Sequence, residues 1–503
     1  MGTKILILGF GFLLSKLPYK LLEVIIYSLA KLYLFFPFKR KRLLFSNLSH
    51  AFPSWSLIQI RKTALESTAR LFEMGFFSLI YPHLSTYERR LTMSYTKEIK
   101  KELKELRKHS KPTLILLPHI SLFESIVTSQ IFRPYSGKTL GAVYRPNSNP
   151  SINDWVNKSR TDLGFKIFPR KKGLLQAKKH LANGNWLALL FDQNSGPSGE
   201  LSIFLDRLCS ITPLPDILLK SINANVVIAT PIRISFFRTK LELHYLGDSK
   251  KGGISSMAHK KLEDLIRDHP EGLPEWLWSH GKWKVHARVE SRYRMIVKRK
   301  HIIKDKKIER VTNFFVRLPN WLGDVVMAIP VLIAIREGRP DVRFTLVCKS
   351  EYVELLNKFN LGEDFITLPE KSFLYFLNFR KKIRFEPENY LLFTNSLRSD
   401  IEAMLSGSPQ RFGVKLTGRI RPLLSHAFNS SESGGSNNSQ LHQTLAWEQM
   451  ARHFGLREKI DSSPLLIPLI KRKINKIGII AGSSNSPEKR WSRSNWVELL
   501  NQL

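Results

Sequence analysis

In the run LPHISLFES (117–125), His119 and Glu124 form a His-x4-Glu pair closing the apolar stretch Thr113–Leu117. A hydroxyl near pH 7 is a poor nucleophile, and an imidazole beside it can take its proton during attack on an acyl carbonyl. Such a base typically contributes roughly 10²–10⁴-fold in rate, and a carboxylate partner holds the ring in the useful tautomer. Residues five apart do not share a helical face, so the two side chains meet only if the backbone turns between them. The sequence therefore predicts a strand-to-helix junction, with Pro118 and Ser121 making the turn. The same letters also have a structural reading. Ser121-x-x-Glu124 is a capping box opening a helix through Phe132, with His119 in a loop.

Other candidates flank the pair in a set order. Upstream is NLSHAFP (47–53), after a hydrophobic N-terminal stretch. Downstream come YRPNSNP (144–150), LGFKIFPRKKG (163–173), LALLFDQNSG (187–196), VVIATPIRI (226–234) and PEWLWSHGKWK (274–284). Taken alone, Asp192 and Gln193 read equally as a site or as the solvated end of the strand Trp186–Phe191, and Arg145 equally as a phosphate contact or a turn residue. In this order, over roughly residues 1–295, the set resembles the lipid A late acyltransferases. These lauroyl and myristoyl transferases belong to the wider glycerolipid acyltransferase superfamily with its His-x4-Asp/Glu signature. The resemblance implies His119 as general base, Glu124 as its orienting partner, Arg170 and Arg145 facing phosphate, and Asp192 and Gln193 lining the site. It also implies an acyl carrier protein as donor, a lipid A precursor as anionic acceptor, no cofactor or metal, and the cytoplasmic face of the inner membrane. One departure is visible: where the family often carries an arginine late in the domain, this chain reads SHGKWK, with Lys282 the nearest basic residue. The His–Glu pair does not encode the acceptor, so a lysophospholipid acyltransferase stands as an alternative.

Charge agrees with an anionic partner. Lys and Arg number 79 against 42 Asp and Glu, a formal charge of +37, which suits anionic lipid or an acidic protein. No RNP, zinc-finger or basic-zipper pattern occurs, so nucleic acid is not expected. The N-terminal segment Ile5–Phe38 is broken by Lys16, Pro18, Lys20 and Glu23, and Lys39-Arg40-Lys41-Arg42 follows it. A spanning helix needs about 20 apolar residues, and a central charge costs about 2.5–3.5 kcal/mol. A signal peptide lacks its cleavage site here, and Leu6 occupies the position where myristoylation needs Ser or Thr. An interfacial anchor with snorkelling lysines is the expectation, a single tilted span the alternative. Cys209 and Cys348 give neither a disulfide framework nor metal-ligand spacing and read as small buried apolar residues.

The chain is too long for one core. A charged bridge, 285–310, precedes a fresh α/β pattern: strand Phe314–Leu318, loop Pro319–Gly323, a helix from Val325 with Val325, Ile329, Leu332 and Ile333 on one face, then strand Arg343–Cys348. That is the opening of a Rossmann-like domain. RLPNWLGDVVMAIP (317–330), NSLRSD (395–400), QRFGV (410–414) and EKRWSRSNW (488–496) resemble the heptosyltransferases of glycosyltransferase family 9. The resemblance implies Asp324 as base for a sugar hydroxyl and Lys489 at the phosphates of a nucleotide sugar. Without it, Asp324 reads as a helix cap and Lys489 as a solvated lysine. The family's later Asp-x4-His-x-Ala element does not follow Trp491, so acylation is expected ahead of a bifunctional acyl and glycosyl transfer. The expected fold class is α/β throughout. Its parts are a membrane-associated anchor (1–45), a glycerolipid-acyltransferase-like domain (46–295), a basic linker (296–311), a Rossmann-like first half of a GT-B fold (312–470) and the incomplete start of its second half (471–503). SSESGGSNNSQ (430–440) reads as a surface loop.

Overall fold

The computed structural model describes the chain except residues 1, 109–110, 121, 130, 133–136, 148, 171, 197–198, 249–252, 269–275, 277, 284–308, 385–386, 417, 430–441, 456–477, 480, 483–486 and 503. Ser121, most of the charged bridge, the 430–440 stretch and much of the start of 471–503 lie outside the described residues. The chain forms two compact units, Met1–Ile460 and Asp461–Leu503.

The larger unit opens with helices Gly2–Ser15, Tyr19–Phe35, Lys39–Ala51 and Leu57–Ile80. Leu22, Ile26 and Ala30, at helical spacing, bury one face of Tyr19–Phe35 beside Ala69, Phe77 and Ile80 of Leu57–Ile80. The other face leaves Leu21, Val24, Leu29, Leu32 and Phe35 exposed, continuous in sequence with exposed Phe10, Phe12 and Leu13 before it and Phe36 and Phe38 after it. Among the described residues no single helix is long and apolar enough to cross a membrane; Tyr19–Phe35 and Lys39–Ala51 pass that test only as a pair bent by 92°. Glu23, which broke the apolar segment, is paired with Arg233 at 3.0 Å. Arg233 also binds Glu73, and Glu73 is 1% exposed.

A seven-stranded sheet comes next. Its strands are β1 (Met93–Ser94), β2 (Thr113–Leu117), β3 (Leu140–Tyr144), β4 (Lys166–Pro169), β5 (Trp186–Leu190), β8 (Asn225–Ser235) and β9 (Arg238–Asp248), with the hairpin β6 (Glu200–Phe204) and β7 (Arg207–Ile211) apart from it. The order is β1-β9-β8-β2-β5-β3-β4, parallel throughout except for the β8–β9 pair. TLILL and WLALL are apolar runs because β2 and β5 are interior strands of this sheet, where both faces are covered, and every residue of β2 is buried. Adjacent parallel strands end on the same edge, so the residues just after β2, β5, β3 and β4 all reach one crevice.

The second sheet has six strands: β10 (Thr312–Arg317), β11 (Val342–Cys348), β12 (Asp364–Thr367), β13 (Asn389–Leu392), β14 (Gln410–Lys415) and β15 (His426–Asn429). All pairs are parallel, and the order β12-β11-β10-β13-β14-β15 is the doubly wound Rossmann order. The helix read from Val325 begins earlier, at Leu322, and runs to Gly338 with Pro330 inside it. Val325, Ile329 and Leu332 are fully buried as their spacing requires, while Ile333 is half-buried. The smaller unit contains a 3-10 turn, Pro487–Lys489, and the helix Arg493–Gln502.

Candidate active site

His119 follows β2, and Asp192 follows the neighbouring β5. The ring Nδ1 of His119 lies 2.5 Å from Asp192 Oδ1, and the His119 backbone N–H donates to Oδ2 at 2.9 Å. Asp192 is fully buried. Burial raises its carboxyl, but the charge and hydrogen bonds of His119 outweigh that and hold it well below the usual carboxylate range. An ionised Asp192 can only accept, so in the neutral imidazole Nδ1 carries the proton and Nε2 presents its lone pair. The Gln193 amide stands 3.2 Å from that Nε2 and donates to it.

This corrects one expectation. The carboxylate that orients His119 is Asp192, not Glu124: Glu124 instead binds Arg160, Oε1 to Nη2 at 3.0 Å. The reason lies in the turn. Ile120 N–H donates to Pro118 O at 2.9 Å, and Ile120 bridges Trp276. The short helix Glu124–Thr128 then begins at Glu124 itself. Glu124 still faces the cleft that His119 enters. That cleft is about 340 Å³, near the lower bound for ligand pockets. Phe123, Val143, Leu189, Leu190, Phe191 and Leu214 give it apolar walls; His119, Glu124, Arg145, Arg160, Arg170 and Gln193 give it polar ones.

The late segment holds this arrangement from behind. Trp276 Nε1–H donates to Asp192 Oδ2 at 3.1 Å. Lys282, fully buried, donates from Nζ to the Asp192 backbone O at 2.6 Å. Asn194 donates to the carbonyls of Gly281 and Lys282, and Asn47 of NLSHAFP donates to those of Trp278 and His280. Lys282, the basic residue nearest the expected arginine, is thus a buried brace for Asp192. Burial lowers its ammonium.

Arg145 and Arg170 are exposed on the rim, at the ends of β3 and β4. Arg170 donates to Ser195 Oγ at 3.3 Å. Gly164 has φ +84, a conformation few other residues adopt. It ends the helix Pro150–Thr161 and turns the chain into β4, which carries Arg170 to the rim. Sequence reasoning missed Arg160, which no motif marks, and the bracing tryptophan Trp276, whose cluster was visible but had no assigned partner. Asp324 lies in the first turn of Leu322–Gly338 at the carboxyl edge of β10. Lys489 is exposed in the smaller unit. Cys209 and Cys348 are free and buried, and burial raises both thiols, Cys348 to about 12.

Residues 1–285 match the family model described as bacterial lipid A biosynthesis acyltransferase. Lipid A biosynthesis acyltransferase 2 of Shigella flexneri is 23% identical over 193 residues, 35% of this chain and 56% of that protein. The match therefore spans little more than half of that relative's length. Three solved structures are similar at low scores. A family 9 glycosyl transferase from Veillonella parvula is 13% identical, covering 30% of this chain and 43% of its own, with a TM-score of 0.26. Escherichia coli ADP-heptose lipopolysaccharide heptosyltransferase II is 19% identical, with 38% and 61% covered and a TM-score of 0.27. An Escherichia coli heptosyltransferase bound to ADP-2-deoxy-2-fluoro heptose is 12% identical, with 38% and 65% covered and a TM-score of 0.29. With scores this low, the Rossmann order of the second sheet stands on its own strand pairing.

Proposed function

Since this chain belongs to the bacterial lipid A biosynthesis acyltransferase family, we propose that it moves a fatty acyl chain from acyl carrier protein to a hydroxyl of a lipid A precursor. The observation that carries this is the pairing of His119 Nδ1 with the buried Asp192 carboxylate, which leaves Nε2 as a base at the cleft. The acceptor hydroxyl gives its proton to Nε2 as its oxygen attacks the thioester carbonyl carbon. The tetrahedral intermediate then collapses to an ester, and the leaving thiolate takes the proton back from His119. Asp192 stays ionised and stabilises the imidazolium. The Gln193 amide, released from Nε2 as that nitrogen takes the proton, is a donor for the developing oxyanion. Arg145 and Arg170 on the rim suit phosphates of donor or acceptor.

The exposed apolar side chains of the N-terminal helices, flanked by Lys16, Lys20, Lys31 and Lys39, support an interfacial seat on the cytoplasmic face of the inner membrane. The test is acyl transfer in membranes carrying His119→Ala or Asp192→Ala. Wild-type rates in either variant remove the mechanism. A second reading, in which the chain also transfers a sugar, draws on the six-stranded Rossmann sheet. Calorimetry with a nucleotide sugar tests it, since absence of saturable binding leaves acylation alone.

A further inference from the structure

A second cavity, about 250 Å³, lies at the bend between Tyr19–Phe35 and Lys39–Ala51, against Leu57–Ile80. Its wall is mainly apolar: Leu44, Leu71, Phe72 and the ring of Tyr33. Tyr33 and Ser279 add hydroxyls to it, and those of Thr68 and Ser67 are already engaged. Thr68 donates to Ala64 O at 2.8 Å, and Ser67 to Trp276 O at 3.4 Å. Phe38, exposed on the outer apolar face, stacks on Tyr33 at 4.9 Å, so the cavity adjoins that face.

Arg40 also lines the cavity. It is exposed and makes no ion pair among the described residues. It sits in the first turn of Lys39–Ala51, whose N-cap Phe38 supplies no side-chain bond, so the positive end of the helix dipole adds to its charge. A free anion would satisfy Arg40 and leave the apolar space empty. A neutral hydrocarbon would fill the space and leave the guanidinium without a partner. One amphiphile answers both.

We propose that this cavity binds a single anionic phospholipid, its phosphate on Arg40 and part of one acyl chain between Leu44, Leu71 and Phe72. The site is separate from the transfer cleft. Trp276 stands between them, its carbonyl taking Ser67 on one side and its indole N–H binding Asp192 on the other. A lipid seated here packs behind the wall that braces Asp192.

The test is native mass spectrometry of the full chain released from non-ionic detergent after addition of phosphatidylglycerol. One lipid is expected on the wild type. Arg40→Gln should lower the bound fraction about tenfold, the loss of one charge-assisted contact, while Lys39→Gln, off the cavity, retains it. Leu71→Trp fills the space and should also lose the lipid; if that variant does not fold, Arg40→Gln carries the test. Diacylglycerol with the same chains and glycerol 3-phosphate should both be retained poorly, separating the whole lipid from its tails or its phosphate alone. Equal retention of diacylglycerol, full retention by Arg40→Gln, or no lipid on the wild type overturns the site. The inference does not rest on acyl transfer: a lipid-bound but inactive wild type refutes the proposed reaction and leaves this site standing.

Discussion

Single residues divide the work of the cleft between two carboxylates that sit in different environments. Asp192 is buried and ionised against His119, so Asp192→Asn removes the acceptor that fixes the Nδ1–H tautomer. A loss of about 10³–10⁴-fold in kcat is expected, with a small change in KM, measured with saturating donor. Glu124 is bound to Arg160, and the expected signature of a shared role is coupling. Glu124→Gln and Arg160→Gln in a double-mutant cycle should give an interaction energy of about 0.5–3 kcal/mol in kcat/KM; strict additivity would mean the pair is idle. Lys282→Met keeps the buried stem but leaves the Asp192 carbonyl without its donor. Because small displacements of a base cost heavily, kcat should fall up to about 10²-fold. Lys282→Arg should restore part of that loss, which a defect of folding alone would not show.

Elements meet through a buried charge network at the base of the N-terminal helices. Glu73 accepts from Arg70, from Arg233 and from the backbone N–H of Phe237. Arg233 reaches on to Glu23 of the apolar helix Tyr19–Phe35. The charge that broke the hydrophobic pattern is thus the clamp tying that helix to the end of β8, and it suits a helix lying along the body of the protein. Arg233→Met leaves Glu73 with a single cation, Arg70, and a stability loss of about 1–3 kcal/mol is expected in thermal or urea unfolding, as for a buried acceptor that loses one partner.

The whole molecule carries its net charge of +37 beside an apolar helical face, and it hides histidines that dislike protons. His259 packs edge-on to Phe191 and Phe204 with Nδ1 2.8 Å from Ser255 O. Burial, then the charge of Lys282, pushes it down to about 3. Its folded value lies below that of the unfolded chain, so the unfolded state binds the extra proton. Stability should be full above about pH 6.5 and fall as pH drops from there toward 3, by about 1.4 kcal/mol per pH unit for this one group. His259→Gln should make the unfolding free energy flatter between pH 6.5 and 5, followed by calorimetry. The strands were legible in the sequence, because TLILL, WLALL and the β10–β11 pattern are apolar runs whose length and setting admit few other structures. Local pattern likewise marked His119 and Asp192 as strand-end residues, whereas Arg145 and Arg170 were singled out by the resemblance. Which carboxylate meets the imidazole was decided only by the tertiary fold: β2 and β5 are neighbours in the sheet though 73 residues separate His119 from Asp192, and no local spacing encodes that adjacency. The same holds for Trp276 and Lys282, whose side chains acquire a partner only when the late segment closes behind β5.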